Sequence, residues 1–229
     1  MNKMIELISL AFLAFILGIK HSYDADHLIA VSTFLRKSNS IKNSVKLSAS
    51  WAIGHMLTAT IITILLFIFR ESIITAILPH FEKIVGTMLI LLGLWSLKDL
   101  FGMHTHKHTH GNITHNHNHF HFFKKIKSDL HQADHSHKHM FGIGIIHGLA
   151  SNDELLILFT ASLGITSLGG ILVGVGIFSI GVVLGMILFS LLFTYPLLKV
   201  KSKLINFFII WLVGSGSLVY GVLSLVGDI

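Results

Sequence analysis

The sequence of 229 residues contains no cysteine. Disulfide bonds and zinc–thiolate sites are therefore excluded, and an electron carrier that works through a cysteine pair is disfavoured. Any metal site has to be built from histidine, aspartate, glutamate, asparagine or methionine. Charge is also scarce, because only 12% of the residues are charged whereas 52% are hydrophobic. A soluble domain of this length needs more charge to cover its surface, so the composition indicates a membrane protein.

Six apolar segments run along the chain, at 5–34, 46–69, 83–102, 140–163, 168–195 and 204–227. Each has about the 20 residues, or more, that a helix needs to cross a hydrocarbon core of ~30 Å. We therefore predict an all-α polytopic membrane protein with six transmembrane helices. The first segment continues through polar residues to Leu35 without a clean cleavage site, so we interpret it as a retained helix and not as a signal peptide.

Basic residues are concentrated in three of the connecting loops, those after the first, third and fifth segments. Lysine and arginine accumulate on the cytoplasmic side of membrane proteins. We therefore expect a multi-pass protein of the cell membrane, with both termini outside and the loop of residues 104–139 in the cytoplasm. The net charge of +6 follows from these loops, so it does not indicate binding to nucleic acid.

The two halves of the chain form a weak internal repeat. Three matches have nearly the same offset: Gly18–His21 with Gly144–His147 at 126, Ile53-Gly54 with Ile180-Gly181 at 127, and residues 85–97 with 213–225 at 128. We therefore predict a first three-helix repeat, a histidine-rich loop and a second three-helix repeat, at 1–103, 104–139 and 140–229. Because three is an odd number, the repeats would insert in opposite orientations, as in transporters that bind substrate at the repeat interface near the midplane.

A cluster of ionisable residues lies a little past the middle of the first segment: Lys20, His21, Asp24, Asp26 and His27. Such groups cost ~2.5–3.5 kcal/mol each at that depth, and they usually mark an ion path. The alternative is a structural network in which Lys20 and Asp24 pair one turn apart. On a straight helix His21, Asp24 and His27 share a sector while Asp26 points away. A site that includes Asp26 therefore requires a broken helix.

Further candidate ligands occur in the second and fourth segments. His55 follows a glycine, and we predict that it is a metal ligand or a partner of one, with Thr58 one turn later placed to orient it. The fourth segment carries a counterpart of the first cluster, so we expect its helix to be broken too. Residues expected to bind metal or line its path are Asp24, His147, Asn152, Asp153 and Glu154. Imidazole and carboxylate without thiolate suit Ni²⁺, Co²⁺, Zn²⁺ or Mn²⁺ better than Cu⁺.

Residues 20–27, KHSYDADH, resemble the Arg-His-Ala-x-Asp-Ala-Asp-His signature of the nickel/cobalt transporter family. Residues 52–55, AIGH, are similar to the Gly-His motif in the second helix of that family, and residues 141–144 resemble the start of a later motif. Residues 145–154 depart from that motif and are more similar to shorter urease-accessory and nickel-efflux membrane proteins. The resemblance implies Ni²⁺ or Co²⁺ as substrate, with His21, Asp26 and His27 as ligands.

Residues 104–139 contain 12 of the 17 histidines, mostly in a His-x-His rhythm. Such tracts bind Ni²⁺, Zn²⁺, Co²⁺ or Cu²⁺ with poor selectivity. We expect an auxiliary metal-binding loop that buffers imported metal, delivers cargo for export or senses excess. Its histidines are His104, His106, His108, His110, His115, His117, His119, His121, His131, His135, His137 and His139.

We expect a secondary transporter that imports Ni²⁺ or Co²⁺ without a cofactor, since the chain has no Walker A motif. Export of these ions or of Zn²⁺ stays open, because the histidine-rich loop suits either direction. An intramembrane metalloenzyme is the third hypothesis, and the lack of an HExxH motif and of a clear general base in the first segment counts against it. Expected partners are divalent metal ions, the lipid bilayer and a cytoplasmic metallochaperone, while the sequence does not specify an oligomeric state.

Overall fold

The computed structural model describes residues 2–69, 74–101, 103–110, 113–120, 131–149, 168–200 and 202–227. Within these ranges the chain forms seven helices and one hairpin: α1 Asn2–Ser22, α2 Ala25–Leu35, α3 Ile41–Phe69, α4 Ile74–Phe101, β1 Met103–His110, β2 Ile113–Phe120, α5 His131–His147, α6 Leu168–Lys199 and α7 Lys203–Val226.

Three of the described helices are long and apolar enough to cross a membrane: Ile41–Leu65, Leu168–Lys199 and Leu204–Val226. The bent pair α1 and α2 adds a fourth span if the two helices count as one. Large apolar side chains such as Leu192 and Leu212 are exposed on α6 and α7, as lipid-facing helices require. The chain is therefore a helical membrane protein, while the count of six spans stays a prediction.

The first predicted span is broken between α1 and α2, which meet at 56°. The break begins where the Tyr23 and Asp24 amides donate to carbonyls three residues back, and Asp24 then adopts an extended backbone with φ −62° and ψ 145°. Asp24 stands at the N-cap of α2 but makes no side-chain cap hydrogen bond. An aspartate in this position usually caps the helix, so here its carboxylate is available for another partner.

Glycine contacts hold two helix pairs at close range, α1 with α6 and α3 with α5. Gly18 of α1 faces Gly181 of α6, and Gly54 of α3 faces Phe141 and Ile145 of α5 on either side of Gly144. A Cβ atom at any of these glycines would meet the backbone of the partner helix. Glycine therefore permits the close backbone approach that membrane helices use in place of a hydrophobic driving force.

The pair α4 and α7 is joined by two further glycine contacts. Gly86 lies against Gly221, and Gly93 lies against Gly214. The Ser217 hydroxyl also donates to the Leu89 carbonyl across the same interface. This pair packs beside α2, whose other neighbours are α3 and α6. The arrangement encloses α2, so the residues just after the helix break lie inside the bundle.

The histidine-rich segment departs in part from the predicted loop. Strands β1 and β2 pair antiparallel, with His104 opposite His119, His106 opposite His117 and His108 opposite His115. The helix expected to begin at 140 begins nine residues earlier, at His131, so the last four histidines of the segment are helical. Hydropathy detected only the apolar part of this helix, because polar residues can extend a helix beyond its membrane-embedded stretch.

The expected break in the fourth predicted span falls largely outside the described residues. Helix α5 ends at His147, and the Gly148 amide donates to the Gly144 carbonyl in the turn that follows. Residues 150–163 of that predicted span are not described.

Candidate metal centre

The side chains of His21 and His55 meet in the interior of the bundle. Their Nε2 atoms are 3.1 Å apart, and the two residues are 1% and 0% exposed. Two nitrogens bound to one ion at ~2.0–2.1 Å and separated by this distance would subtend an angle of about 100° at the ion. The pair is thus already at the spacing of two ligands on one metal ion.

Hydrogen bonds at Nδ1 orient two of the rings. The Nδ1–H of His21 donates to the Asp24 carboxylate at 3.0 Å, and the Nδ1–H of His27 donates to the His21 carbonyl at 2.8 Å. In a neutral imidazole the other nitrogen then carries the lone pair. Both bonds therefore present Nε2 as the ligand atom, as partners behind metal-binding histidines generally do.

Asp26 joins the centre because the helix is broken. Its Oδ2 atom is 2.8 Å from His147 Nε2 at the end of α5 and 3.8 Å from His27 Nε2. On a continuous α1 the same carboxylate would point away from His21. The bend after Ser22 brings it into the bundle, where Asp26 is only 6% exposed.

These five side chains form two groups of three. The ligand atoms of His21, His27 and His55 lie within 4.8 Å of one another, and so do those of Asp26, His27 and His147. We call the first group the imidazole triad and the second the carboxylate triad. They draw residues from α1, α2, α3 and α5, so the folded bundle assembles a centre that no single segment contains.

Trp51 forms one wall of the centre, although it was not among the predicted site residues. Its ring stacks on His55 with centroids 5.0 Å apart and an interplanar angle of 18°, and it meets His27 and His147 edge-on at 4.9 and 5.4 Å. The available signal was its position one turn before His55, which places both rings on one face of α3. Phe178 of α6 covers His21 at 5.4 Å.

Asp24 lies behind the imidazole triad and belongs to neither group. Its carboxylate binds His21, is 3.7 Å from Lys20 Nζ and has a side chain 30% exposed. The pairing of Lys20 with Asp24 one turn apart is therefore present. The Asp24 carboxylate thus connects the exposed Lys20 ammonium group to the buried His21 ring.

Thr58 does not orient His55 as the sequence suggested. Its hydroxyl lies 3.0 Å from the Ile145 carbonyl and 3.3 Å from the Gly54 carbonyl, and it donates to this backbone. The residue therefore joins α3 to α5. Within the described part of the chain the Nδ1 atoms of His55 and His147 have no hydrogen-bond partner. Their Nε2–H groups donate to His21 Nε2 and to the Asp26 carboxylate, so a metal ion bound at these nitrogens would displace their protons.

The other candidates are not brought to this centre by the described residues. Asn152, Asp153 and Glu154 lie outside them, as does His121. The backbone register of the hairpin pairs His104, His106 and His108 of β1 with His119, His117 and His115 of β2, and His110 with Ile113. His131, His135, His137 and His139 occupy the first half of α5.

Two comparisons with known proteins bear on this centre. A family model described as high-affinity nickel-transport protein (NicO) matches residues 7–207. The chain is also 31% identical over 219 residues to the urease accessory protein UreH of Bacillus sp. (strain TB-90), which covers 95% of this chain and 91% of that protein. No solved structure is significantly similar to it. These matches are to transport and accessory proteins and not to enzymes, so the metalloenzyme hypothesis is set aside.

Proposed function

Because the chain belongs to the family of high-affinity nickel-transport proteins, we propose that it imports Ni²⁺ across the cytoplasmic membrane through the buried centre at the helix break. The ligands are His21, Asp26, His27 and His55, with His147 completing the set. The observation that carries this assignment is the burial of four imidazoles and one carboxylate in two triads that share His27, each with its ligand atoms within 4.8 Å of one another. Groups of this kind inside a membrane bundle mark an ion path.

The chemistry of the donors supports nickel and its neighbours in the series. Imidazole suits Ni²⁺, Co²⁺ and Zn²⁺, and one carboxylate offsets part of the charge of a divalent ion. We propose Ni²⁺ as the principal substrate and Co²⁺ as a second one. Zn²⁺ is the competitor to test, because the donor set alone does not distinguish it.

The proposed architecture is a 3+3 inverted repeat, at 1–103 and 140–229, joined by the segment 104–139. The glycine contacts support it. Under the repeat offsets Gly18 corresponds to Gly144 and Gly181 corresponds to Gly54, so the contact between α1 and α6 corresponds to the contact between α5 and α3. In the same way, the two glycine contacts between α4 and α7 correspond to each other. A pseudo-two-fold axis in the membrane plane would relate these pairs in this way.

The membrane potential favours uptake over export. A divalent cation entering a negative-inside cell gains ~4.6 kcal/mol per 100 mV, twice the value for one charge. We therefore propose import driven by the potential, with both termini outside. Efflux is the alternative, and it is favoured by the histidines concentrated on the side of the membrane proposed to be cytoplasmic.

The histidine-rich segment is proposed as an auxiliary site on the cytoplasmic side. Histidine tracts of this kind bind divalent metal ions. In the hairpin the backbone register pairs histidine with histidine, at His106 with His117 and at His108 with His115. The similar protein named a urease accessory protein favours delivery of the metal to a nickel enzyme, with a metallochaperone as intermediate partner.

Uptake of radioactive nickel tests the proposal. Expression in a host that lacks its own nickel importers should raise the cellular nickel content, and His21→Ala should abolish the rise. The matched control is His80→Ala, which changes an exposed histidine of α4 and should leave uptake unchanged. A fall in cellular nickel would instead establish export, and no change in either direction would refute transport of nickel.

A further inference from the structure

The five buried donors are too widely spread for one ion. In the described residues they divide into the imidazole triad and the carboxylate triad, each with its ligand atoms within 4.8 Å. Two ligands on one ion with bonds of ~2.1 Å lie at most ~4.2 Å apart. Each triad is near that limit by itself, whereas all five donors do not form one such group. The arrangement therefore offers two positions for an ion.

His27 is the residue that the two triads share. Its Nδ1–H donates to the His21 carbonyl at 2.8 Å, so its lone pair is at Nε2. A single lone pair binds one metal ion at a time. The two triads therefore cannot both hold an ion with their full sets of ligands, and occupation of one excludes complete occupation of the other.

The two positions differ in charge. The imidazole triad supplies three neutral donors and no carboxylate of its own: Asp24 binds the far side of the His21 ring, and the Asp26 oxygen is 3.8 Å from His27 Nε2. The carboxylate triad includes Asp26 itself, 6% exposed. An ion in a water-excluded site needs compensating charge, so the carboxylate triad binds a divalent ion more tightly.

We propose that the transported ion occupies the two triads in turn, and that His27 stays bound to it while the other ligands exchange. His21 and His55 are replaced by Asp26 and His147, or the reverse, around one constant bond. The ion is then never without a protein ligand during the exchange, which avoids the cost of a bare charge in a dry bundle. The inference rests on the proposed transport of nickel and specifies how the ion crosses the centre.

The position of the ion in two variants tests the exchange. Full-length wild type, Asp26→Asn and His55→Ala would each be loaded with Ni²⁺, and the ion would be located by anomalous scattering at the nickel edge. In Asp26→Asn the ion should lie among His21, His27 and His55. In His55→Ala it should lie among Asp26, His27 and His147. Wild type should contain one ion at this centre, never two.

Three results would overturn the exchange. They are two ions at the wild-type centre, the same ion position in both variants, and an empty centre in both variants, which would mean that one ion needs donors from both triads. His80→Ala serves as the loading control, and the unfolding temperature of each variant identifies any that fail to fold. If Asp26→Asn fails to fold, His147→Ala takes its place, and if His55→Ala fails to fold, His21→Ala takes its place. Each replacement should hold the ion at the position expected for the variant that it replaces.

Tracer uptake by wild type separates this inference from the proposed function. Absence of nickel transport in either direction would refute the function itself. Normal uptake together with a single ion position would refute only the exchange. The affinity of the centre supplies a further readout: Asp26→Asn should weaken binding by at least about 100-fold, since even partners behind a ligand contribute 10–100-fold, whereas His55→Ala should weaken it less.

Discussion

The protein has two sets of histidines, which differ in where they lie in the chain and in how they are held. Four of them, His21, His27, His55 and His147, are buried and held by helix packing, and two are oriented by hydrogen bonds at Nδ1. Twelve others crowd into residues 104–139, in a polar segment between apolar ones. The difference teaches that the number of histidines in a segment does not show whether they form a site: the four buried imidazoles are brought together by helix packing, whereas the twelve are close together only along the sequence.

The largest effect is expected at the residue shared by the two triads. His27→Ala removes a donor from both groups, so nickel uptake at trace concentration should fall to background. The measurement is initial uptake of radioactive nickel, normalised to the amount of protein in the membrane. His80→Ala is the matched control, and uptake above one tenth of wild type in His27→Ala would contradict the assignment.

The buried set should also be sensitive to helix spacing, which the histidine-rich segment is not. In Gly54→Ala the new Cβ would meet the Phe141 carbonyl of α5, and overpacking of this kind costs ~1–3 kcal/mol. We expect a lower unfolding temperature and uptake reduced by roughly 10-fold, although no ligand is changed. Gly142→Ala is the control, because a Cβ there has nothing within 4 Å. Equal behaviour of the two variants would mean that this contact does not position the centre.

A smaller effect is expected from the carboxylate behind His21. Asp24→Asn keeps an oxygen that can accept the His21 Nδ1–H but removes the charge. Partners of this kind contribute 10–100-fold to metal affinity, and the retained hydrogen bond places the expected loss at the lower end, about 10-fold. Nickel affinity of the purified variant measures it. Asp24→Ala should lose more than Asp24→Asn, and the opposite order would exclude an orienting role.

The smallest effect on transport is expected from the larger set of histidines. Deletion of 104–139 should leave the initial rate of uptake within about 2-fold of wild type, because the path through the bundle is retained, while the number of weakly bound nickel ions falls. Equilibrium dialysis of the purified proteins counts those ions. A full-length variant with the twelve histidines replaced by asparagine controls for the length of the connection. Loss of uptake in both variants would make the segment part of the path.

Several parts of the centre were predictable because they depend on local chemistry. The cluster from His21 to His27 was recognisable because ionisable groups are costly inside an apolar run. The direction of Asp26 on an ideal helix indicated that a site containing it requires a broken helix, and the structure places the break after Ser22. His55 was noticed from its glycine neighbour and from the need for more ligands. Trp51 was missed, since an aromatic residue in an apolar helix is ordinarily part of the core, and only its stacking on His55 gives it a place in the centre.

Other parts depended on contacts between distant segments. Thr58 was expected to orient His55, but the approach of α5 gives its hydroxyl the Ile145 carbonyl as a partner. His147 was a candidate path-lining residue, and its contact with Asp26, 121 positions away along the chain, makes it a member of the carboxylate triad. The start of α5 at His131 was also not predictable from hydropathy, which reports apolar length and not the polar extension of a helix.

The sequence by itself determined that this is a helical membrane protein with ionisable groups at membrane depth, because apolar length and buried charge are properties of single segments. It also contained the motif that identifies a nickel-transport family. Only the tertiary structure decided which histidines share a site, which ring nitrogen each presents and that the donors divide into two triads joined at His27. Those features depend on distances of a few ångströms between α1, α2, α3 and α5, and such distances are set by how closely the glycines allow the helices to pack.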